Sequence, residues 1–195
     1  DAFSRNKKTK YVAVLHEQAG GFAAEGYAKV KGNKIPGVAI ATSGPGGMNF
    51  VTPAGNCFYD SVPCIFITGQ INSQFLRSDS SIRQVGFQEA DIIAMAKPVT
   101  KYAKMITEPK AVKYEIEKAL HICQSGRPGP VLLDIPLNVQ KADVEVSTLF
   151  GFDSKSIHSG YDFDYVDQLI DHFKASGPVE LINIAGTSVK ISGLF

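Results

Sequence analysis

The amino-acid sequence predicts an α/β fold: a mostly parallel sheet with helices on both faces, followed by the start of a second α/β domain. Two patterns carry this expectation. Apolar runs of strand length alternate with segments whose apolar residues recur at helical spacing. Each apolar run also stops at a turn rich in small residues, where a strand hands over to a helix.

The first run, Tyr11-Val12-Ala13-Val14-Leu15, reads as a strand, and Gln18 to Lys31 follows as a helix ended by Gly32 and Asn33. Gly37 to Ala41 is the second strand and enters the glycine-rich loop Ser43-Gly44-Pro45-Gly46-Gly47; Pro63 to Thr68 is the third and stops at Gly69. Val99 to Met105 fits a short strand, Pro109 to Gln124 a helix, and Pro130 to Pro136 a buried strand bounded by prolines. These elements close a first domain over residues 1–141. Residues 142–160 mix Ser, Gly and Asp without a period, as a linker does. Residues 161–195 begin another unit, with a helix over Asp164 to Ala175 and a strand over Val179 to Ala185. One helix, one strand and about ten further residues bury no core of their own, so the chain reads as part of a longer polypeptide.

The chain has 195 residues, 20 of them Lys or Arg and 19 Asp or Glu, for a formal net charge of +1. Without a long basic run it lacks the electrostatic footprint of a nucleic-acid or anionic-membrane binder. No stretch approaches the roughly 20 apolar residues of a membrane span, and residues 1–10 are polar and basic rather than signal-like, which points to the cytoplasm. Cys57, Cys64 and Cys123 form no Cys-x-x-Cys pair and are expected as buried reduced thiols rather than a disulfide framework or a zinc site.

Ligands of open α/β sheets sit beyond the carboxyl ends of the strands, so the residues just after each apolar run are the informative ones. His16-Glu17-Gln18 places an ionisable group between a strand and the start of a helix. Thr42 to Asn49 carries glycines that permit close backbone approach to a flat or anionic ligand, and Gly86-Phe87-Gln88-Glu89 lies in a loop long enough to reach that edge. Each has a plain structural alternative. A Glu opening a helix commonly satisfies the helix dipole, a Gly-Pro-Gly loop is commonly a simple turn, and His16 fits a partly buried hydrogen-bonding residue. His121, His158 and His172 have no metal-ligand spacing, so no metal site is expected in this chain. A phosphate loop, a dinucleotide fingerprint and a Gly-x-Ser-x-Gly elbow are all absent, which ranks a small nucleotide-binding or hydrolase domain last.

Taken in order, these segments resemble the acetolactate synthase group of thiamine-diphosphate enzymes. His16-Glu17-Gln18 with Ala23 to Lys29 is similar to that family's cofactor-activating motif, and Thr42 to Asn49, Asp60-Ser61-Val62-Pro63 and Ile67-Thr68-Gly69-Gln70 to its next blocks. Phe87-Gln88-Glu89-Ala90-Asp91 and Ser125 to Val131 complete the series, so the resemblance runs from about Val12 to Pro136. It implies that residues 1–141 are the pyrimidine-binding domain, lacking the strand, paired-glycine turn and helix with which the family opens, and that 161–195 begin the central domain. Glu17 is implied as the carboxylate that hydrogen-bonds the aminopyrimidine ring nitrogen and so activates the thiazolium C2. Such a role asks for a Glu whose proton affinity is raised in an apolar pocket closed by a partner domain.

By the same resemblance Pro45 and Asn49 line the pyrimidine side, and Phe87 and Gln88 face the substrate. Arg127 matches the family's flavin-contacting Arg, although a solvated Arg in a turn before a strand accounts for it equally; FAD is thus an open alternative. The diphosphate-and-Mg2+ domain has no counterpart in these residues, and the family's active site forms between subunits, which implies a homodimer or homotetramer. The implied activity is that of a carboligase or decarboxylase acting on a 2-keto acid. Bona fide acetohydroxyacid synthases carry a Lys soon after Asp-x-Pro, whereas Leu137 follows Asp134-Ile135-Pro136 here, which counts against branched-chain synthesis. The rival from another class is a non-catalytic regulatory or assembly module that keeps the fold, and the presence of Glu17 speaks against it.

Overall fold

The computed structural model describes residues 10–79 and 81–154, together with the backbone of 179–182 and 188–191. Strands β1 (Gly37–Ala41), β2 (Cys64–Gln70), β3 (Tyr102–Met105) and β4 (Val131–Pro136) form a four-stranded sheet in the order β1-β2-β4-β3. Every pairing in it is parallel. Helix α1 (Glu17–Val30) precedes β1; α2 (Pro45–Met48) and α3 (Val51–Tyr59) connect β1 to β2; α4 (Ile92–Ala96) lies between β2 and β3; α5 (Val112–Gln124) returns the chain to β4; α6 (Leu137–Gln140) follows it.

Two apolar clusters show that both sheet faces are covered. Ala39, Ala41, Phe66 and Leu132 pack with Ala24 and Ala28 of α1, Ala54 and Cys57 of α3 and Ile92 of α4. On the other face Ile65, Val131 and Leu133 pack with Ala119 and Cys123 of α5 and Val139 of α6. The change of face at α5 follows from handedness. The path from β3 back to β4 reverses the direction of travel across the sheet, and a right-handed crossover then lies on the opposite side. All three cysteines are free and buried, as expected.

The helix expected after residue 17 forms, and Gly32 (φ 61°) and Asn33 (φ 58°) end it in the left-handed conformation. Other boundaries move. Pro109–Ala111 is a 3₁₀ turn ahead of α5, and the short strand starts at Tyr102 because a 3₁₀ turn occupies Lys97–Val99. The expected strand over Tyr11–Leu15 does not form: none of its residues adopts a strand, and Val12 (89% exposed) and Leu15 stand open to solvent. A strand exists only through a neighbour's backbone groups, and an open cavity of about 490 Å³ separates Val12–Glu17 from Ile40–Thr42 at the edge of β1.

The chain divides into two compact units, residues 1–154 and 155–195. The stretch expected as a linker is in part strapped to the first unit: Tyr114 of α5 meets the rings of Phe150 and Phe152 at 5.6 Å, and Phe152 N donates to Glu117 at 2.7 Å. In the second unit β5 (Val179–Ile182) forms within the strand expected over Val179–Ala185 and pairs antiparallel with β6 (Ser188–Ile191). The helix expected over Asp164–Ala175 lies outside the described residues.

Candidate functional site at the carboxyl edge of the sheet

Helix α1 begins at Glu17 because His16 caps it: its backbone is extended (φ −144°) and its Nδ1 accepts from Gln18 N at 3.2 Å. His16 is exposed, not partly buried as its position suggested. Glu25, one face further along α1, is buried and accepts from Asn56 of α3 at 2.7 Å. That bond fixes α1 against α3, so the start of α1 and the residue leading into α3 come together. There Asn49 Nδ2 donates to Glu17 Oε2 at 2.9 Å.

The glycine-rich loop completes the arrangement. Gly44 caps α2 with φ 62° and ψ −123°, a conformation open in practice only to glycine, and exposed Pro45 follows at the first helical position. A Cβ built on Gly46 would lie 3.2 Å from Glu17 Oε1, so glycine lets the carboxylate rest on the backbone. A Cβ built on Gly44 would lie 2.8 Å from the Gln88 carbonyl oxygen. Gln88 itself holds φ 61°, uncommon for a residue with a side chain. Glu17, Pro45, Asn49 and Gln88 therefore meet at one edge of the sheet, although 71 positions separate the first from the last.

The loop bearing Gln88 is locked by its neighbour. Buried Glu89 accepts from Arg77 N at 2.7 Å, Val85 N at 2.8 Å and Gly86 N at 3.4 Å. Burial pushes its carboxyl up, but those backbone N–H groups outweigh it and hold Glu89 below the usual carboxylate value. Arg77 also pairs with Asp91 at 2.9 Å, and Asp91 caps α4 through Ala94 N at 3.1 Å. The loop's crest is apolar: Phe87 is 87% exposed, with Phe75, Ile82 and Val85 exposed beside it.

Glu17 is more acidic than usual, held so by its own backbone N–H at the helix start, then by Asn49, with His16 contributing least. This is the reverse of the raised proton affinity expected: Glu17 is only partly buried by the described residues, so its backbone N–H and the Asn49 amide outweigh desolvation. Arg127 is not brought to this edge. It lies four residues ahead of β4, at the amino ends of the strands, where Nε donates to Ser61 Oγ at 2.6 Å and Nη2 to Tyr59 O at 3.2 Å.

Residue-by-residue reading overlooked Asp134. It is fully buried, and its oxygens accept from Thr68 Oγ1 at 2.7 Å and Gln70 Nε2 at 3.0 Å. The signal was available, since an acid inside the apolar run Val131-Leu132-Leu133-Asp134-Ile135 is costly unless it is hydrogen-bonded. Burial pushes the carboxyl from its ordinary 3.8 up to about 6. The folded chain thus holds this proton more tightly than the unfolded one, which adds stability below pH 3.8 that is lost as pH rises through about 6. Asp134→Asn removes that dependence. The thermal midpoint difference should shift in the variant's favour between about pH 4 and 6 and level off above; a flat difference would place the titration elsewhere.

Residues 1–95 match the family model described as the thiamine pyrophosphate enzyme N-terminal TPP binding domain. Over residues 1–95 the chain carries the sequence of that domain family. It is 46% identical over 145 residues to the acetolactate synthase large subunit of Corynebacterium glutamicum, a match covering 74% of this chain and 22% of that protein. The mitochondrial acetolactate synthase catalytic subunit of Saccharomyces cerevisiae is 39% identical over 142 residues, 73% of this chain and 20% of its own length. The chloroplastic acetolactate synthase of Arabidopsis thaliana is 39% identical over 140 residues, 72% and 20% respectively. The chain thus spans about a fifth of the length of these relatives. Among the described residues no helix is long and apolar enough to cross a membrane.

Proposed function

We propose that this chain is the pyrimidine-binding part of a thiamine-diphosphate-dependent carboligase or decarboxylase acting on a 2-keto acid. The observation that supports it most is the Glu17 carboxylate, oriented by Asn49 and seated on Gly46 at the carboxyl edge of a parallel sheet. When bound, the cofactor supplies the nucleophilic carbon and the electron sink for a keto acid that loses carbon dioxide. The residues present fit its aminopyrimidine. Asn49 occupies Oε2 of Glu17, while Oε1 lies over a glycine where a flat ring can approach. Glu17 holds and returns a proton at the ring nitrogen. Pro45 offers an exposed apolar ring beside it, and Gln88 and Phe87 flank the place where substrate enters.

The reading extends to Mg2+, held with the diphosphate by a domain outside this chain, and to a dimer or tetramer. The exposed crest at Phe75, Ile82, Val85 and Phe87 supports a partner domain closing over Glu17 and restoring the apolar wall its role asks for. FAD is a further proposed ligand, for which Arg127 at the opposite edge is the candidate contact; its Nη1 takes part in neither of its hydrogen bonds. A cytoplasmic, reducing setting is supported by the buried free thiols.

Residues 1–141 are read as a pyrimidine domain whose sheet takes one more strand, between residues 11–15 and β1. The cavity there and the bare Val38 and Ile40 on the α5 side of β1 support it. A strand in that slot leading outward to residue 11 reverses direction across the sheet, so its helix belongs on that side.

The complete enzyme, supplied with Mg2+ and thiamine diphosphate, should release carbon dioxide from simple 2-keto acids; no release from any of a panel would overturn the proposal. Gln88→Ala should change the Michaelis constant or product ratio with little change in melting temperature. A large fall in melting temperature with unaltered kinetics would make Gln88 structural.

A further inference from the structure

Both halves of the candidate site hang from one buried carboxylate. Thr68 and Gln70 are two apart on β2 and so share a face of the sheet, and Asp134 pairs with Thr68 in the parallel register of β4. Oδ1 of Asp134 takes the Thr68 hydroxyl at 2.7 Å and Oδ2 the Gln70 amide at 3.0 Å.

From Thr68 the path runs to the cofactor side. Its Cγ2 lies 3.2 Å from where a Cβ on Gly47 would be, so α2 rests on the Thr68 methyl. That short helix begins at Pro45 and is capped by Asn49, the donor to Glu17. From Gln70 the path runs to the substrate side. Nε2 also donates to Ala90 O at 2.8 Å and Oε1 accepts from Ile71 N at 3.0 Å, so the amide is fixed at both ends. Ala90 lies two residues beyond Gln88, and Ile71 opens the same loop.

We infer that Asp134 is a positioning residue. Through Thr68 it sets α2 and the Asn49–Glu17 pair, through Gln70 it sets the Gln88 loop, and so it fixes the distance between cofactor activation and substrate binding. This rests on the function proposed above. The two arms leave the carboxylate in different directions, so their loss has different signatures.

In the complete enzyme, Thr68→Val, which keeps the methyl but removes the hydroxyl, should slow deuterium exchange at cofactor C2 roughly tenfold with the 2-keto acid Michaelis constant unchanged. Gln70→Leu should raise that constant roughly tenfold with exchange unchanged. Asp134→Leu should do both. Asp134→Asn should restore both, because its amide can donate to Thr68, whose hydroxyl turns to accept, while its oxygen still accepts from Gln70. If Asp134→Leu does not fold, the two arm variants decide. Equal losses of exchange and affinity in both arm variants, or no loss in either, would make Asp134 a stability residue and overturn the inference. A wild-type enzyme that showed no Glu17-dependent C2 exchange would overturn the function itself, a separate outcome.

Discussion

Glu17→Gln in the complete enzyme should slow exchange of the cofactor C2 proton by ~10²–10⁴, the range lost when a positioned acid-base group is removed. Gln keeps the size of Glu and still accepts from Asn49 Nδ2 through its amide oxygen, so the contact measured at 2.9 Å survives with packing intact. Only the titrating proton goes. Affinity for thiamine diphosphate should therefore remain near that of wild type, a separation that loss of fold could not mimic. Deuterium incorporation at C2, quenched in acid and read by NMR, measures it. Exchange at the wild-type rate would leave Glu17 as a helix-start residue satisfying backbone N–H groups, and the regulatory-module reading would then move ahead.

Gly44→Ala is the second large effect expected. Gly44 has φ 62° and ψ −123°, which a side chain tolerates at a cost of about 1–3 kcal/mol. The added methyl also meets the Gln88 carbonyl oxygen 2.8 Å away, and that neighbour is backbone held by the Glu89 clamp, not the free end of a flexible side chain. The loop and α2 must separate. We expect a lower melting temperature together with a fall in kcat/KM of tenfold or more, since a displacement of about 1 Å can cost about 10²-fold. Substitution of Gly26 by Ala is the control: a Cβ there meets nothing within 4 Å, so stability and kinetics should both hold. Equal behaviour of the two variants would show that the Gly44–Gln88 contact has no bearing on the site.

The sheet was legible because its strands are short apolar runs punctuated by Gly and Pro, as in Pro130 to Pro136, where burial on both faces removes any need for alternation. Helix α3 was not legible. Pro53 and Gly55 are poor helix formers and the segment carried no assignment, yet Pro53 sits in the first turn, where its missing N–H is harmless, and its burial against α1 holds the segment helical. Glu17, Pro45, Asn49 and Gln88 were found through position after a strand and through resemblance to a family. What brings them together was less visible, because Glu89 and Asp134 act by accepting hydrogen bonds from residues distant in sequence. The edge that receives Arg127 was not legible either: a motif match gives residue type and order, and the amino-end position comes from its bonds to Ser61 and Tyr59.

β1 carries a consequence for handling the protein. Its backbone is paired on one side only among the described residues, and Val38 and Ile40 are about half exposed on one face. An uncovered apolar edge of this kind is a template for another strand. Expressed as 195 residues, the polypeptide should therefore stick to itself or to a chaperone at concentrations where the complete enzyme stays dispersed. Light scattering against concentration would reveal it, and a Lys at position 38 or 40 should suppress the association while leaving the Glu17 edge untouched.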